Sequence, residues 1–364
     1  YQAKWTVLLF GIGSVVAMRQ FMAFYVVHSQ VAPPSSWEVT KATLLEHNKS
    51  KEDVARVWVQ LTFSAEFEKE LMPHTIHHYL VNGKVDPKYM LITLHHQDPA
   101  ASEELEEAIH AVESFGVPRD RIQTWHGNYS SERIREMRLR QRETAGVTDC
   151  DWILKFDGDE HLRIPGNDVI SFLEGLGHQG YDNAIGNWRD RVAPNGTMPN
   201  ITQSPSLAEQ FPNQCQYSEH ASTAKAYKVF ALRGYLQEKD SGHLLDKKSR
   251  KVSCPYIPRL LIDHYKWCYP VFDKLKRRIV HYQRSGKSVW NESASLLGHI
   301  LENGDSIDVT RPEFKCISLS ENDLPVIDSK AIPMLNKDGK VITFGCGNPF
   351  KKCPAKILRH AAPE

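Results

Sequence analysis

The stretch that decides the fold reads WILKF from Trp152 to Phe156 and continues as DGDEH from Asp157 to His161. The WILKF segment has the apolar and aromatic composition of a buried β-strand. The Asp-Gly pair that follows is typical of a turn, so the strand is expected to end there. Asp157 and Asp159 are two residues apart, and in an extended segment this spacing points both carboxylates to the same side. The sequence therefore predicts a strand end that carries two neighbouring acids.

Strands and helices alternate on the amino-terminal side of this segment. Short apolar runs predict strands at Tyr89–Leu94 and Arg121–Trp125, and the spacing of apolar residues predicts helices over Ala101–Phe115 and Ser131–Ala145. This alternation is typical of a parallel sheet with helices on both faces. The fold class is therefore predicted to be α/β, Rossmann-like, with a mostly parallel sheet. Ligands of such sheets bind beyond the carboxyl ends of the strands, which is where the two acids are placed.

The two acids have the chemistry of a divalent-cation site. Carboxylate oxygens are hard ligands, and with a diphosphate and waters they suit the octahedral coordination of Mg²⁺ or Mn²⁺. Gly158, between the acids, would let the backbone approach a ligand closely. The alternative is an ordinary Asp-Gly turn after a strand, with no ligand. We expect Asp157 and Asp159 to bind a metal ion and, through it, a diphosphate.

The block from Asp151 to Leu162 resembles the aspartate-rich segment of GT-A glycosyltransferases, most closely the family 2-like and family 92 type enzymes. The resemblance continues in chain order through Trp188–Arg191, Gly242–His243 and the His-Tyr segment Leu261–Trp267. Many relatives carry Lys-Asn-Glu after the first strand, whereas this chain carries His-His-Gln-Asp from His95 to Asp98. This departure falls where the family's contacts to the nucleotide base lie.

The resemblance implies a GT-A-like fold and an enzyme that moves a sugar from a nucleotide-sugar donor to a hydroxyl of a glycan or glycoconjugate acceptor. It implies Mn²⁺ (or Mg²⁺) as cofactor, since a divalent ion would stabilise the charge that develops on the leaving diphosphate. We expect a hexosyltransferase-like, inverting enzyme, which would also need a carboxylate base for the acceptor proton. The site residues expected on this basis are Asp157, Asp159, Glu160 and His95 for donor binding, Asp157 and Asp159 with the late histidines His264 and His243 for the metal, and Asp190 or Glu209 for the base.

Composition excludes several other classes of protein. The 364 residues are 41% hydrophobic and 24% charged, as in a folded globular protein. The 45 Lys and Arg against 44 Asp and Glu give a net charge of +1, so no broad basic surface for nucleic acid is expected. One remaining alternative is a non-catalytic GT-A-like binding or scaffolding subunit of a membrane assembly. The other is a metal-dependent phosphohydrolase, which would need more His and Asp ligands for a two-metal site than the spacing shows.

The segment from Trp5 to Val27 is apolar apart from Arg19 and Gln20 and is long enough to span a bilayer. We expect a membrane anchor of a single-pass type II protein. A cleaved signal segment and a buried helix are the alternatives. A Golgi or other secretory-pathway location, or secretion, follows from either an anchor or a signal. The expected domains are this anchor or signal segment at residues 1–30, a linker and extension at 31–80, a GT-A-like catalytic domain at 81–310 and a cysteine-containing extension at 311–364.

Sequons and cysteines also favour the secretory lumen. Sites of the form Asn-x-Ser/Thr, where N-glycosylation is expected, occur at Asn48, Asn128, Asn195, Asn200 and Asn291. The seven cysteines include no CxxC pair, which argues against a zinc knuckle or a thioredoxin-type site. A disulfide is expected between two cysteines that flank a Gly-Asn-Pro turn, and a third cysteine beside the WILKF strand is expected to be free. These are Cys346 and Cys353 for the disulfide, and Cys150 for the free thiol.

Two segments predict basic helices. The helix over Ser131–Ala145 carries five arginines and three glutamates, which favour a solvated, ion-paired face. Further along, Phe272, Leu275, Ile279 and Tyr282 share one helical face, with lysines and arginines largely opposite. This second pattern predicts an amphipathic helix packed against the domain.

Overall fold

The computed structural model describes residues 54–222, 226–239, 243–286 and 290–318, together with Cys353 and Ile357. The chain divides into two compact units, Tyr1–Ser50 and Lys51–Glu364, and all described residues belong to the second. The expected membrane anchor or signal segment lies outside the described residues. Within the described ranges, no helix is both long and apolar enough to cross a membrane.

One mixed sheet of ten strands organises the described unit. Its strands are β1 (Val57–Ser64), β2 (Met90–His96), β3 (Ile122–His126), β4 (Trp152–Asp157), β5 (Glu160–Leu162), β6 (Asn183–Val192), β7 (Asn213–Cys215), β8 (Tyr227–Arg233), β9 (Pro255–His264) and β10 (Ile317–Ser318). Four of them pair in parallel in the order β3-β2-β1-β4. β8 pairs antiparallel with β4 and β6, and β6 also pairs antiparallel with β7 and parallel with β9. β5 pairs with β9, and β10 with β7, both antiparallel.

Helices cover and connect these strands. The α-helices that the structure describes are α1 (Leu71–His77), α2 (Ser102–Glu113), α3 (Ser131–Ala145), α4 (Val169–His178), α5 (Leu207–Gln210), α6 (Tyr217–Ala221), α7 (Lys247–Val252), α8 (Val271–Arg284) and α9 (Trp290–Glu302). α2 and α3 make the crossovers that parallel pairing of β2, β3 and β4 requires. At the start of α3 the Ser130 side chain accepts from the N–H of Arg133, and at its end Gly146 has a φ of 70°. The predicted α/β class is confirmed, with parallel pairing in the strands around β1.

β1 is not among the predicted strands. It reads VWVQLTFS, and its residues from Val57 to Phe63 are all buried. Apolar and polar residues alternate from Val59 to Ser64, but the polar Gln60 and Thr62 are buried as well, so they do not mark a solvent-exposed face. β1 pairs with both β2 and β4 and so lies inside the parallel half of the sheet. The sheet therefore begins within residues 31–80, upstream of the catalytic-domain boundary expected at residue 81.

The disulfide pattern differs from the expected one. Cys353 bonds to Cys150, so the expected Cys346–Cys353 disulfide is wrong, and Cys150 is not the free thiol. Cys346 itself lies outside the described residues. The free cysteine of the described part is Cys268, which is buried. Closeness in sequence suggested the wrong pair, whereas the bonded cysteines are 203 positions apart and are brought together only by the tertiary fold.

Candidate active site

The carboxyl ends of β1, β2 and β4 meet at one edge of the sheet. The register pairs Thr62 of β1 with Asp157 of β4, and Ser64 of β1 with His95 of β2. The chain turns after Asp157 and returns as β5, which pairs with the end of β9. The acidic segment therefore lies at the strand edge where the sequence predicts it.

Gly158 occupies a position that has no room for a side chain. Its N–H donates to the carbonyl of Thr62, and its own carbonyl accepts from the hydroxyl of Thr75. An added Cβ would lie 2.3 Å from Cδ1 of Phe63 and 2.9 Å from Oε2 of Glu68. The protein's own packing thus requires the glycine, and the approach of a ligand, which the sequence suggested, is not the reason. This packing fixes the backbone that carries the two flanking carboxylates.

Asp157 is held between two cations. Arg138 of α3 donates from Nη2 to Oδ1 at 2.9 Å, and Nζ of Lys228 on β8 lies 3.5 Å from Oδ2. Burial acts to raise the pKa of Asp157, but the charges of Lys228 and Arg138 outweigh it and hold the pKa below its ordinary value. The side chain of Asp157 is 45% exposed to solvent. An ionised carboxylate therefore remains accessible at the open edge of the sheet.

The side chain of Glu160 faces the protein interior and not the space where a nucleotide-sugar donor would bind. It is 1% exposed, and its carboxylate accepts from the backbone N–H of Asp157 at 2.8 Å, from Nζ of Lys228 at 2.5 Å and from Nε1 of Trp188 at 2.6 Å. Burial raises its pKa, which the charge of Lys228 opposes. Every one of these partners belongs to the site itself. Contrary to the expectation of a donor-binding residue, Glu160 positions Asp157, Lys228 and Trp188.

The side chains of Asp159, His264 and Asp190 form a row that runs from the turn between β4 and β5 to β9 and β6. Strand pairing places His264 of β9 opposite both Glu160 of β5 and Asp190 of β6. Nε2 of His264 lies 3.7 Å from Oδ2 of Asp159, and Nδ1 lies 3.0 Å from Oδ1 of Asp190. The ring of Trp188 stacks on the imidazole, with centroids 5.4 Å apart. Burial opposes protonation of His264, but Asp159 and Asp190 together raise its pKa.

Asp190 is too fully engaged to act as the expected base. Besides His264, it accepts from the backbone N–H of Ser218 at 2.6 Å, from the Ser218 hydroxyl at 2.8 Å and from Nε1 of Trp267 at 2.8 Å. Its exposure is 3%. In this structure the lone pairs of the carboxylate are taken up by four donors from the protein itself. Asp190 therefore orients His264 instead.

The donor set at Asp159 and His264 fits a divalent ion. In the neutral form of His264, with Nδ1 donating to Asp190, Nε2 would turn its lone pair toward Asp159 and could bind an ion. The two ligand atoms are 3.7 Å apart, and an ion about 2.1 Å from each fits between them. Among the described residues no group of three or more His, Cys, Asp or Glu could hold an ion, so a diphosphate and waters would have to complete the shell. Of the four metal residues expected from the sequence, Asp159 and His264 are a pair that the structure brings within 3.7 Å of each other.

His243 lies on the other side of Trp188. Its ring meets the Trp188 ring edge-on, with centroids 4.9 Å apart. Burial, followed by the charge of Lys228, lowers the pKa of His243 to about 3. The positive charge of Lys228 also opposes the binding of a metal ion by the imidazole of His243. The structure therefore supports His264 over His243 as the late histidine of the site.

His95 supports an aromatic wall at the ends of β2 and β3. It is 8% exposed, and its Nε2 lies 2.7 Å from the carbonyl oxygen of Gly127. Its ring centroid is 4.3 Å from that of Trp125 and 6.1 Å from that of Tyr129. Tyr129 is 43% exposed, so it offers the accessible face of this wall. The expected donor-binding role of His95 is compatible with a supporting position behind Tyr129.

Glu209 is occupied elsewhere, as the capping residue of a short helix. Its carboxylate accepts from the backbone N–H of Ser206 at 2.9 Å and from the Ser206 hydroxyl at 2.7 Å, and the Ser206 side chain caps α5 in return. These hydrogen bonds lower the pKa of Glu209. Within the described ranges, no hydrogen bond or ion pair joins Glu209 to the acids at the strand edge. The structure therefore assigns Glu209 a local structural role and gives no support to a catalytic one.

N-glycosylation at the Asn-x-Ser/Thr sites stays a prediction, and the structure shows the position of four of the five asparagines. Those at Asn128, Asn195, Asn200 and Asn291 are exposed, as N-glycosylation would require. Asn48 lies outside the described residues.

The cations that hold the acids were not predicted from the sequence. Arg138 is 4% exposed and Lys228 is 1% exposed, although the arginines of α3 suggested a solvated face. The signal that could have found Arg138 is its spacing, since it follows the buried residues Ile134 and Met137 on the same side of α3. Lys228 lies within an apolar strand, where a lone lysine is a sign of a buried ion pair.

No family model matches the chain, and no curated protein matches it. It is similar to a solved structure of 4-diphosphocytidyl-2C-methyl-D-erythritol synthase, at 15% identity over 63% of this chain and 98% of that one, with a TM-score of 0.30. It is similar to S. aureus TarS 1-349 in complex with UDP-GlcNAc, at 10% identity over 68% and 71% of the two chains, with a TM-score of 0.26. The mannosyltransferase PcManGT from Pyrobaculum calidifontis, solved with GDP-Man and Mn²⁺, is 9% identical over 70% and 77%, with a TM-score of 0.32. At these scores the likenesses establish no family, and we base the function on the site's own residues.

Proposed function

We propose that the protein is a metal-dependent, hexosyltransferase-like glycosyltransferase that moves a sugar from a nucleotide-sugar donor to a hydroxyl of a glycan or glycoconjugate acceptor. The observation that carries this proposal is the arrangement of Asp159 and His264, with Asp190 orienting the imidazole. It lies at the carboxyl edge of parallel strands, the usual ligand-binding edge of such sheets. Two such ligands suit Mn²⁺ or Mg²⁺, with oxygens of a diphosphate and waters to complete the shell.

When bound, the ion would supply positive charge to the leaving diphosphate. The other roles at the site fall to residues of the chain itself. Asp190 keeps the proton on Nδ1 of His264, Arg138 and Lys228 hold Asp157 ionised at the edge, and Tyr129 offers an aromatic face for a nucleobase. In the reaction the oxygen of an acceptor hydroxyl attacks the anomeric carbon and gives up its proton to a base, and the electron pair of the broken C–O bond stays on the diphosphate. Inversion would need a carboxylate base other than the two that the sequence suggested.

The proposal places the reaction in the secretory lumen, in a Golgi-type membrane or after secretion. Two disulfides, Cys150–Cys353 and Cys215–Cys316, support it because such bonds persist in oxidising compartments. The exposed sequon asparagines support it as well. Treatment of the protein from a secreting cell with a peptide N-glycosidase should lower its mass, and unchanged mass would count against this address.

The function is tested with the full-length chain and a panel of nucleotide sugars, by the release of nucleoside diphosphate in the presence of acceptor extracts. We expect one donor to be turned over with Mn²⁺, and Asp159→Ala to abolish that turnover. Glu209→Ala is the matched control, since this acid caps a helix away from the strand edge, and it should keep wild-type activity.

Failure of every donor to bind or react, with the protein shown to be folded, would favour the non-catalytic binding or scaffolding subunit. Release of phosphate from simple phosphomonoesters would instead favour the phosphohydrolase. Both results would refute the transferase.

A further inference from the structure

A cavity of about 280 Å³ lies behind the candidate ion site. Its walls include residues of α1, β5, the end of β9 and the start of α5. His161 of β5 is paired with Asp263 of β9, and both line the cavity. Because successive side chains of a strand point to opposite faces, these two lie on the other face of the β5–β9 pair from Glu160 and His264. The cavity is therefore separate from the space in which the ion would bind.

The hydrogen bond between His161 and Thr75 decides which ring nitrogen of His161 carries the proton. The Thr75 hydroxyl has a single proton, which it donates to the carbonyl of Gly158 at 2.6 Å. Nε2 of His161 lies 2.9 Å from the same hydroxyl oxygen, so Nε2 must be the donor of the bond between them. In the neutral imidazole Nδ1 then keeps a lone pair.

This lone pair of His161 is open to the cavity. The residue is 7% exposed, and among the described residues Nδ1 has no hydrogen-bond partner. The fully buried side-chain polar atoms without a partner in the described part belong to Arg121, Trp152 and Ser293. Nδ1 of His161 is not one of them, so solvent reaches it, and the cavity that His161 lines is the space from which it does.

Two more histidines of the wall have the same arrangement. Nε2 of His74 lies 3.0 Å from the carbonyl oxygen of Thr202, and Nε2 of His78 lies 2.8 Å from that of Leu162. A carbonyl oxygen only accepts, so both Nε2 atoms carry the proton. Burial lowers the pKa of both rings, that of His78 to about 4, so each Nδ1 is an acceptor at neutral pH. Nδ1 of His78 is 3.3 Å from the side-chain amide of Asn82, which leaves His74 and His161 for a ligand.

The charges at the cavity are used within the protein. Among the described residues that line it, Arg163 donates to Asp263 at 3.0 and 2.5 Å and to Gln214 at 2.6 Å. Arg191 also donates to Asp263, and its other bonds go to two backbone carbonyls. In the same described part no group of three or more His, Cys, Asp or Glu could hold a metal ion. The wall thus favours neither an anion nor a metal.

A neutral ligand that carries several hydroxyl groups matches what remains. Its hydroxyls would donate to the imidazole lone pairs, and its C–H groups would pack on the apolar part of the wall at Leu162, Ile164 and Leu207. Pockets for drug-sized ligands have volumes of roughly 300–1,000 Å³. A cavity of about 280 Å³ therefore suits one sugar ring and not an oligosaccharide.

We propose that this cavity is a carbohydrate-binding site, in which Nδ1 of His161 and Nδ1 of His74 accept hydrogen bonds from the hydroxyls of one neutral sugar. The sugar is either free or a residue of a glycan. This site is independent of the transfer reaction, because it requires neither the ion nor a nucleotide.

The test titrates the full-length chain with neutral monosaccharides, without Mn²⁺ or nucleotide, and follows binding by saturation-transfer NMR. Glucose, galactose, mannose and N-acetylglucosamine are the probes, each as the free sugar and as its methyl glycoside. We expect at least one to bind with a Kd on the order of 1 mM. Binding of the methyl glycoside as well identifies a glycan residue as the ligand, and binding of the free sugar alone identifies a free sugar. Absence of binding to the folded wild type overturns the proposal, and so does equal affinity for glycerol or inorganic sulfate.

His161→Gln and His74→Gln test the two acceptors. The glutamine amide can keep the hydrogen bond that Nε2 donates, but it has no atom in the place of Nδ1. We expect each change to weaken sugar binding about three- to tenfold. His110→Gln, the same substitution at an exposed position on α2, is the matched control and should keep the wild-type Kd. Thermal unfolding confirms that each variant is folded. Wild-type affinity in both His161→Gln and His74→Gln would refute the site.

Asp159→Ala separates this site from the proposed transfer site. It should bind the sugar with the wild-type Kd even where it abolishes donor turnover. Loss of sugar binding in Asp159→Ala would place the sugar at the strand edge and overturn the inference while the function stands. Sugar binding that depends on His161 in a protein that turns over no donor would support the inference and count against the function.

Discussion

His264 depends on Asp190 for the orientation of its ring. The carboxylate accepts the Nδ1 proton at 3.0 Å and leaves Nε2 available for an ion. Asp190→Asn replaces this charged acceptor, and we expect the affinity for Mn²⁺ to fall about 10- to 100-fold. Calorimetric titration of Mn²⁺ in the presence of nucleoside diphosphate measures the change. Ser218→Ala, which removes only a neighbouring hydrogen bond to Asp190, should change it far less. Equal Mn²⁺ affinity in Asp190→Asn and wild type would refute this role.

Gly158 sets the geometry of both acids through its backbone. In Gly158→Ala the new Cβ would collide with Phe63 at 2.3 Å, so the turn must shift. We expect a loss of about 1–3 kcal/mol in the free energy of unfolding, together with weaker Mn²⁺ binding. Gly175→Ala is the control, because Gly175 lies in α4 with open space around it and should be neutral or stabilising. Urea denaturation distinguishes the two, and comparable stability for both variants would contradict the packing argument.

At the residue scale, the acids and the histidine of the site were predictable, whereas their partners were not. Asp157 and Asp159 stand out because they follow an apolar strand at once. Arg138 and Lys228 come from α3 and β8, and only the sheet order brings them to the same edge. Asp190 was predicted as a base because the sequence shows that an acid is present but not that four hydrogen-bond donors surround it.

A contact between two buried histidines, His161 of β5 and His78 just after α1, makes the free energy of unfolding depend on pH. His161 of β5 stacks on His78, which follows α1, with centroids 4.7 Å apart. Burial lowers the pKa of His78 to about 4 and holds that of His161 well below 6.5. Both rings are neutral in the folded state, while in the unfolded chain they take up protons below about pH 6.5. The unfolded state then binds more protons, so stability is complete above that pH and falls as the pH drops toward 4.

We expect the free energy of unfolding to decrease by roughly 1 kcal/mol per pH unit between pH 6.5 and 4.5 on account of His161. Denaturant unfolding of wild type and His161→Gln at a series of pH values measures this slope. The variant should show a shallower slope, and His110→Gln, at an exposed position on α2, should match the wild type. A slope that His161→Gln leaves intact would show that other groups cause it.

At the element scale, the sequence pattern located β2, β3 and β4 with the helices α2 and α3 between them, but not β1. The helix α3 has the bounds that were predicted, because Ser130 and Gly146 mark its ends in the sequence. β1 was not predicted, although its apolar residues alternate with the polar Gln60 and Thr62. Both polar residues are buried, and they face Arg138 and Arg142, which is a tertiary arrangement that no local pattern reports.

At the scale of the whole molecule, disulfides fasten late parts of the chain to the sheet. Cys316 stands beside the short edge strand β10 and bonds to Cys215 of β7, 101 positions away. Cys316→Ser should therefore lower the free energy of unfolding by about 2–5 kcal/mol under non-reducing conditions. Cys268→Ala removes a thiol that closes no loop and should cost less. Urea denaturation compares them, and a Cys316→Ser variant as stable as wild type would contradict the disulfide.

The central claim is that Asp159 and His264 hold the ion that the transfer requires. The most direct measurement is donor turnover as a function of Mn²⁺ concentration, for the wild type and for His264→Ala, with Glu209→Ala alongside. We predict that turnover stops in EDTA, that His264→Ala needs at least about tenfold more Mn²⁺ for half-maximal rate, and that Glu209→Ala follows the wild-type curve. Undiminished turnover in EDTA, or a His264→Ala curve that superimposes on the wild type, would contradict the account.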